Sequence, residues 1–239
     1  MGRAFEVRKA SMLKTSNQKA KVYSRYGKEV YMAAKAGVPD PEMNTGLKRM
    51  IEKAKANQVP ADVIKRAIEK AKGTGGEDYQ PVSYEGIAFG GNGNFIVDCL
   101  TDNINRTIAD VRACVNKSHA KMTVNGAVSF QYDSLGILTF QYEDEEKMLE
   151  CLMDNDCEIN DMEVEEGMMT LYTLPTDLYK VKDAVETLIP NCEFEVCEQK
   201  MLAQEYVTLE GEELELFNRL LSLLDEVDDV QNIYHNVSL

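Results

Sequence analysis

Cations recur at helical pitch in the first third of the chain. Lys21, Arg25, Lys28 and Lys35 follow spacings of four, three and seven residues, which sets them on one side of a helix. Such a stripe can follow a phosphate backbone, because ammonium and guanidinium groups then meet successive anionic oxygens. Lys48, Lys55, Arg66 and Lys70 extend the cationic set onto two further predicted helices. Tyr23, Tyr26 and Tyr31 lie among these residues. Aromatic rings between cations can stack on bases, but core packing in a small bundle is the more economical use for at least two of them.

A second candidate is Thr101-Asp102-Asn103-Ile104-Asn105-Arg106-Thr107, where a predicted strand ends and a helix begins. Asp102 or Asn103 can cap the helix. Arg106 with the free N–H groups of the first turn can instead hold a phosphate. Ahead of the first helix, Arg3, Arg8, Lys9 and Lys14 face one acid, Glu6. That segment reads either as a basic arm ordered on binding or as a frayed terminus.

No catalytic constellation is present. The chain has no G-x-S-x-G elbow, phosphate loop or H-E-x-x-H pair. Asp154, Asp156, Glu158 and Glu165 fall at positions one, three, five and twelve of a calcium loop, but Ile159 stands where the turn needs glycine. The six cysteines form no C-x-x-C pair and there are two histidines, which argues against structural zinc. The cysteines read as reduced, small apolar residues. The sequence therefore predicts no catalytic residues, no metal and no cofactor.

The elements that must carry these residues follow from periodicity. Val22, Tyr23, Tyr26, Val30, Tyr31 and Ala34 mark a helix ended by Gly37 and Pro39. Asn44 or Thr45 starts a second, and Pro60 opens a third with Val63, Ile64, Ala67, Ile68 and Ala71 inward. Gly73 to Pro81 reads as a linker. Strands are then predicted at 82–89 and 94–101, joined by Gly90-Gly91-Asn92-Gly93 as a hairpin. A helix follows at 104–117, and strands at 127–132 and 136–142. Beyond these the pattern gives a helix at 144–154, strands near 157–164 and 167–173, and a helix at 176–188. Strands at 193–200 and 204–209, a helix at 211–225 and a strand near 229–235 complete the chain. Residues 136–200 spell β-α-β-β-α-β, and so do 94–132 joined to 204–235. The expected fold is α+β. An N-terminal three-helix bundle (1–76) precedes two ferredoxin-like α/β domains, one (133–203) inserted in the other (77–132 plus 204–239). A single mixed sheet is the rival arrangement.

Charge divides along the same boundary. Residues 1–76 hold 17 Lys and Arg against 7 Asp and Glu, while 77–239 hold 9 against 34. The formal net charge of −15 thus conceals a basic leading domain, the electrostatic footprint of a phosphate binder. Acid runs at 143–146, 163–166 and 225–229 read as solvated faces. The acidic domains would repel phosphate, and a basic protein partner for them is a further expectation. No run reaches a membrane span and no secretory leader is evident, so a cytoplasmic location without membrane contact is expected.

Several stretches, in order, resemble the YebC/PmpR family, which is related to the mitochondrial translational activator of cytochrome oxidase. They are Asp40-Pro41-Glu42-Met43-Asn44, Ile51-Glu52-Lys53-Ala54-Lys55, Pro60 through Lys70, Tyr84-Glu85-Gly86, the Thr101–Thr107 segment and Asp229 through Asn236. The Met-Gly-Arg opening looks like the YeeN-type branch. The chain departs from the family at Ile87-Ala88-Phe89-Gly90-Gly91, at His119-Ala120 and at Phe5, where a Gly-Pro-x-Gly stretch, a Gly-Gly pair and a tryptophan are usual. The resemblance implies a helical domain followed by two α/β domains. It also implies a cytoplasmic, non-enzymatic regulator, described either as DNA-binding and transcriptional or as a translation factor on ribosomal RNA. On that reading Arg3, Arg8, Lys9, Lys14, Lys21, Arg25, Lys28, Lys48, Lys55, Arg66, Lys70 and Arg106 are the nucleic-acid contacts.

Overall fold

The computed structural model describes residues 19–73, 76 and 78–239. Arg3, Arg8, Lys9 and Lys14 lie outside the described residues. Three helices come first: α1 (Lys19–Lys35), α2 (Thr45–Ala56) and α3 (Ala61–Lys72). Next are β1 (Gln80–Ile87), β2 (Asn94–Thr101), α4 (Ile104–Lys117) and β3 (Lys121–Met122). Then follow β4 (Tyr132–Gln141), α5 (Glu145–Asp154), β5 (Asp161–Glu165), β6 (Met168–Thr173), α6 (Leu178–Leu188) and β7 (Phe194–Ala203). The last two are α7 (Gly211–Asp225) and β8 (Val230–His235).

Local signals explain the bundle. The Asn44 side-chain oxygen accepts from the Leu47 N–H at 3.0 Å, capping α2. Its amide donates to the Ala33 and Val38 carbonyls, tying the end of α1 to the start of α2. Pro60, lacking a donor the helix could not use, precedes α3. Val30, Tyr31, Ala34, Leu47, Ala54, Val59, Ile64 and Ala67 bury themselves as one core. Tyr31 is among them, stacked edge-on against Tyr79, and Tyr23 and Tyr26 pack against the same core. The tyrosines are thus largely spent on packing.

The first sheet has the order β3-β1-β2-β8, with every neighbour antiparallel. The β1–β2 hairpin turns through Gly90 and Gly91, both at positive φ. Phe95, Val97 and Cys99 meet Val111 and Val115 of α4 and Phe217, Leu220 and Leu224 of α7 in one core.

The second sheet is built by residues 131–205, a compact unit that interrupts the other; Tyr206–Leu239 rejoins the part ending at Phe130. Its order β5-β6-β4-β7 is ferredoxin-like. Leu138, Phe140, Met169 and Leu171 pack beneath α5 and α6. On the sheet's other face Leu135, Ile137, Tyr172, Val196 and Leu202 are also buried together. The acid run 143–146 starts α5: Asp144 caps it, and Glu145 and Glu146 occupy the first turn, where the helix dipole favours negative charge.

Two expected strands of the first α/β domain are not strands. Within 127–132 the chain makes a short 3-10 turn, Ser129–Gln131. The cause is Glu85. Its buried carboxylate accepts from the N–H groups of Gly126 (2.7 Å), Val128 (2.7 Å) and Ser129 (3.2 Å), so those donors never reach a ladder. Segment 204–209 contributes a single parallel bridge, Val207 with Val237. The sheet position between β3 and β2, where the third strand of a ferredoxin-like order belongs, is filled by β1 from before β2.

Gly86 stands opposite Phe95 in the β1–β2 register, and a Cβ there would meet the Phe95 ring at 2.2 Å. Overpacking of this kind costs about 2–3 kcal/mol. Gly86→Ala is expected to lower the urea midpoint accordingly, and adding Phe95→Leu should recover part of the loss. Equal stability of Gly86→Ala and wild type would contradict the packing described.

Candidate nucleic-acid interface

Lys21, Arg25 and Lys28 do share one face of α1, and that face meets the α/β body. The Lys21 ammonium lies 3.8 Å from the Asp225 carboxylate at the end of α7. Arg25 Nη2 donates to Asn232 Oδ1 on β8 at 2.8 Å. Lys28 Nζ donates to Asp229 Oδ1 at 2.9 Å and to the Asp228 carbonyl at 3.0 Å. These three side chains, expected as outward phosphate contacts, are internal partners of the 225–232 segment. The correction extends to the acid run 225–229: it is the cover of α1, not simply a solvated face. Opposite charges of the same chain found each other first, about 200 residues apart in sequence.

Asp229 is the centre of this seam. Its side chain is only 6% exposed, so it needs compensation for the water it has lost. Oδ1 takes the Lys28 ammonium. Oδ2 accepts from Arg106 Nη2 at 2.8 Å, from the Thr107 hydroxyl at 2.8 Å and from the Thr101 hydroxyl at 3.0 Å. Burial alone would raise the carboxyl pKa. The Arg106, Lys28 and Thr107 hydrogen bonds outweigh it and hold the group well below the usual carboxylate range.

The crowded 101–107 corner is thereby accounted for. Asn103 caps α4, accepting from the Arg106 N–H at 3.1 Å. Thr101 accepts from the Asn103 N–H at 2.9 Å, which closes the corner. Arg106, expected as a second phosphate contact, gives Nη2 to both Asp229 and Asp102, the latter at 2.7 Å. Two carboxylates already neutralise its charge, and they raise its pKa further above an ordinary guanidinium.

The remaining candidates stand elsewhere. Lys48 and Lys55 are exposed on α2, two turns apart on one face. Arg66 and Lys70 are exposed on α3, one turn apart. Arg66 pairs with Asp62 on the same surface at 2.6 Å, with 74% of its side chain in solvent, so this bond is weak and exchangeable. Lys70 lies over the Tyr31 ring at 5.6 Å. Lys65 is exposed beside Arg66 and was missed in the sequence, although its place in the α3 pattern could have shown it. Lys35 is turned to Asp78. Lys53 approaches Glu29 at 3.9 Å.

His119 and His235 sit edge-on to Phe89 and Phe217. Burial, with the Asp229 charge nearby, pushes the Cys99 thiol up to about 12, which denies it the thiolate a nucleophile requires. Among the described residues no group of His, Cys, Asp and Glu is arranged to hold a metal ion.

Comparison with known proteins agrees with this architecture. Residues 79–237 match the family model described as the second and third domain of TACO1/YebC, and residues 3–74 match the TACO1/YebC N-terminal domain. A protein of Vibrio parahaemolyticus named probable transcriptional regulatory protein is 50% identical over all of both chains. One of Alcanivorax borkumensis with the same name is 47% identical over the same span. The crystal structure of a conserved hypothetical protein from Aquifex aeolicus superposes with a TM-score of 0.76 at 31% identity, covering 93% of this chain and 91% of that one.

Removing the Asp229 charge leaves Lys28 and Arg106 facing a neutral amide. Asp229→Asn is expected to cost about 3 kcal/mol in urea unfolding at neutral pH, the usual scale for breaking a buried pair. A carboxyl with a depressed folded-state pKa stabilises above its unfolded value near 4 and loses that contribution as pH falls toward the folded value. The deficit of the variant should therefore be constant above about pH 5 and shrink below about pH 4. A deficit that widens in acid would refute this network.

Proposed function

Because the chain belongs to the TACO1/YebC family, we propose that it is a non-enzymatic, nucleic-acid-binding regulator of gene expression, acting on transcription in the cytoplasm. The observation that carries this reading is the set of cations left in solvent on α2 and α3: Lys48, Lys55, Lys65, Arg66 and Lys70. Cations at one- and two-turn spacing on adjoining helices suit a polyanion, since each phosphate neutralised releases condensed counterions. Relatives sharing half the sequence are named probable transcriptional regulatory proteins, which supports a regulatory role over an enzymatic one.

The charge of the inserted domain supports the same reading. Residues 133–203 hold 19 Asp and Glu against 4 Lys and Arg. Such a surface repels phosphate and leaves the bundle as the contacting part. Its surplus suits a basic protein partner. Among the described residues no helix is long and apolar enough to cross a membrane.

Contacts made by these side chains position a nucleic acid without reading its bases. Binding to random-sequence duplex DNA should fall steeply with salt. Reversing Lys48, Lys55 and Arg66 to Glu should weaken it about tenfold or more at low salt and flatten the log–log salt slope by about three. Fluorescence anisotropy over a salt series measures both. Parallel titration with a single-stranded RNA and a structured ribosomal RNA fragment separates a transcriptional role from a translational one. Unchanged DNA and RNA affinity in the triple variant would reject the proposal.

A further inference from the structure

We infer that α1 carries a second polyanion-binding stripe, Lys21–Arg25–Lys28, masked in this conformation by the acidic 225–232 segment of the same chain and uncovered when a polyanion competes for it. This rests on the nucleic-acid reading above and extends it to the regulation of that contact.

The stripe has the form of an electrostatic contact surface. Its three cations span seven residues, about 10 Å along the helix axis at 1.5 Å per residue. Its present partners are unequal. Arg25 donates to a neutral amide oxygen of Asn232, so its charge meets no carboxylate there. Lys21 stands 3.8 Å from Asp225, beyond hydrogen-bond reach, and its buried ammonium has no hydrogen-bond partner among the described residues, which leaves that cation poorly satisfied in the closed form. Phosphates would offer both cations a full negative charge and charge-assisted hydrogen bonds.

The mask is built so that it can be lifted. Asp225 closes α7, where the helix dipole disfavours a negative charge. Lys21 offsets that cost in the closed form. Asp229 does not depend on Lys28 alone, because Arg106, Thr101 and Thr107 also donate to it. Withdrawal of Lys28 therefore leaves that buried carboxylate paired. The bundle core and the α4–α7 sheet core share no residue. A polar seam between two distinct cores is the kind of interface along which parts of a chain move relative to each other.

The test uses the full chain and a short random-sequence DNA duplex, with affinity read by fluorescence anisotropy at fixed salt. Asp225→Asn with Asn232→Ala loosens the mask while keeping Asp229. It is expected to bind about five- to tenfold more tightly than wild type, within the range of ordinary coupling between sites. Adding Arg25→Glu should abolish the gain. Glu215→Gln removes one exposed charge from the same helix away from the seam and should give no gain. Wild-type affinity for the loosened variant, or a gain that survives Arg25→Glu or appears equally in Glu215→Gln, would overturn the masked stripe. In those cases salt-dependent wild-type binding lost on reversing Lys48, Lys55 and Arg66 would leave the proposed function standing. Absence of binding by wild type and loosened variant, with DNA and with RNA, would overturn both.

Discussion

One buried carboxylate organises the seam between the bundle and the first α/β domain. Asp229 would be costly in that position unpaired, since an ion stripped of water loses several kcal/mol that only good partners restore. The chain supplies them from three places: Lys28 on α1, Thr101 at the end of β2, and Arg106 and Thr107 in the first turn of α4. Each donor has its own local reason for being there. The threonines and Asn103 form the corner that starts α4, and the capped first turn aims Arg106 back at the carboxylate. The short loop between α7 and β8 then needs only to deliver one side chain to a prepared socket.

This socket divides the cations into two populations. Those on α1 that face the α/β body are matched by Asp225, Asp229 and Asn232. Lys48, Lys55, Lys65, Arg66 and Lys70 on α2 and α3 are exposed, and Arg66 pairs only with Asp62 one turn away, while the half-buried Lys53 reaches across to Glu29 of α1. A formal charge count for the leading domain therefore overstates what a phosphate meets, because part of it is cancelled inside the molecule. The distinction concerns how tightly each charge is held. Exposed pairs within a turn exchange readily with a competing anion, whereas a buried, multiply bonded carboxylate resists exchange.

Much of the fold was legible because local chemistry decided it. α4 spans 104–117 as periodicity predicts, with Asn103 rather than Asp102 as its cap, and Asn44 rather than Thr45 caps α2 while Pro60 precedes α3. The β-α-β-β-α-β pattern of the second α/β domain describes its sheet. The first domain was less legible. Segment 127–132 has strand-like residues, but the Glu85 carboxylate captures its N–H groups, and no pattern within the segment announces a partner some forty residues earlier. The α1 stripe was legible as a stripe and illegible in its direction. Helical spacing shows which cations share a face; it cannot show that the face is met by residues 225–232. The resemblance to Asp229 through Asn236 marked that segment without giving a physical reason, which is the pairing with α1 and α4.

The seam and the two cores respond differently to solution conditions, and this determines what in the molecule can move. The cores rest on apolar burial, which added salt does not screen. The α1 contacts are graded. Lys21 stands 3.8 Å from a partly exposed Asp225, and its buried ammonium makes no hydrogen bond among the described residues, so this is the least satisfied of the three contacts. Lys28 with Asp229 is shielded and keeps its strength. Arg25 with Asn232 pairs a charge with a dipole. Loosening therefore begins at the Lys21 end of α1 and stops at Lys28 unless a polyanion presents phosphates in series. Ionic strength alone weakens the stripe's partners and a competing phosphate's attraction together, so salt cannot substitute for the polyanion. A ligand that neutralises several α1 cations at once can, because its charges are covalently linked and pay the entropy of association once.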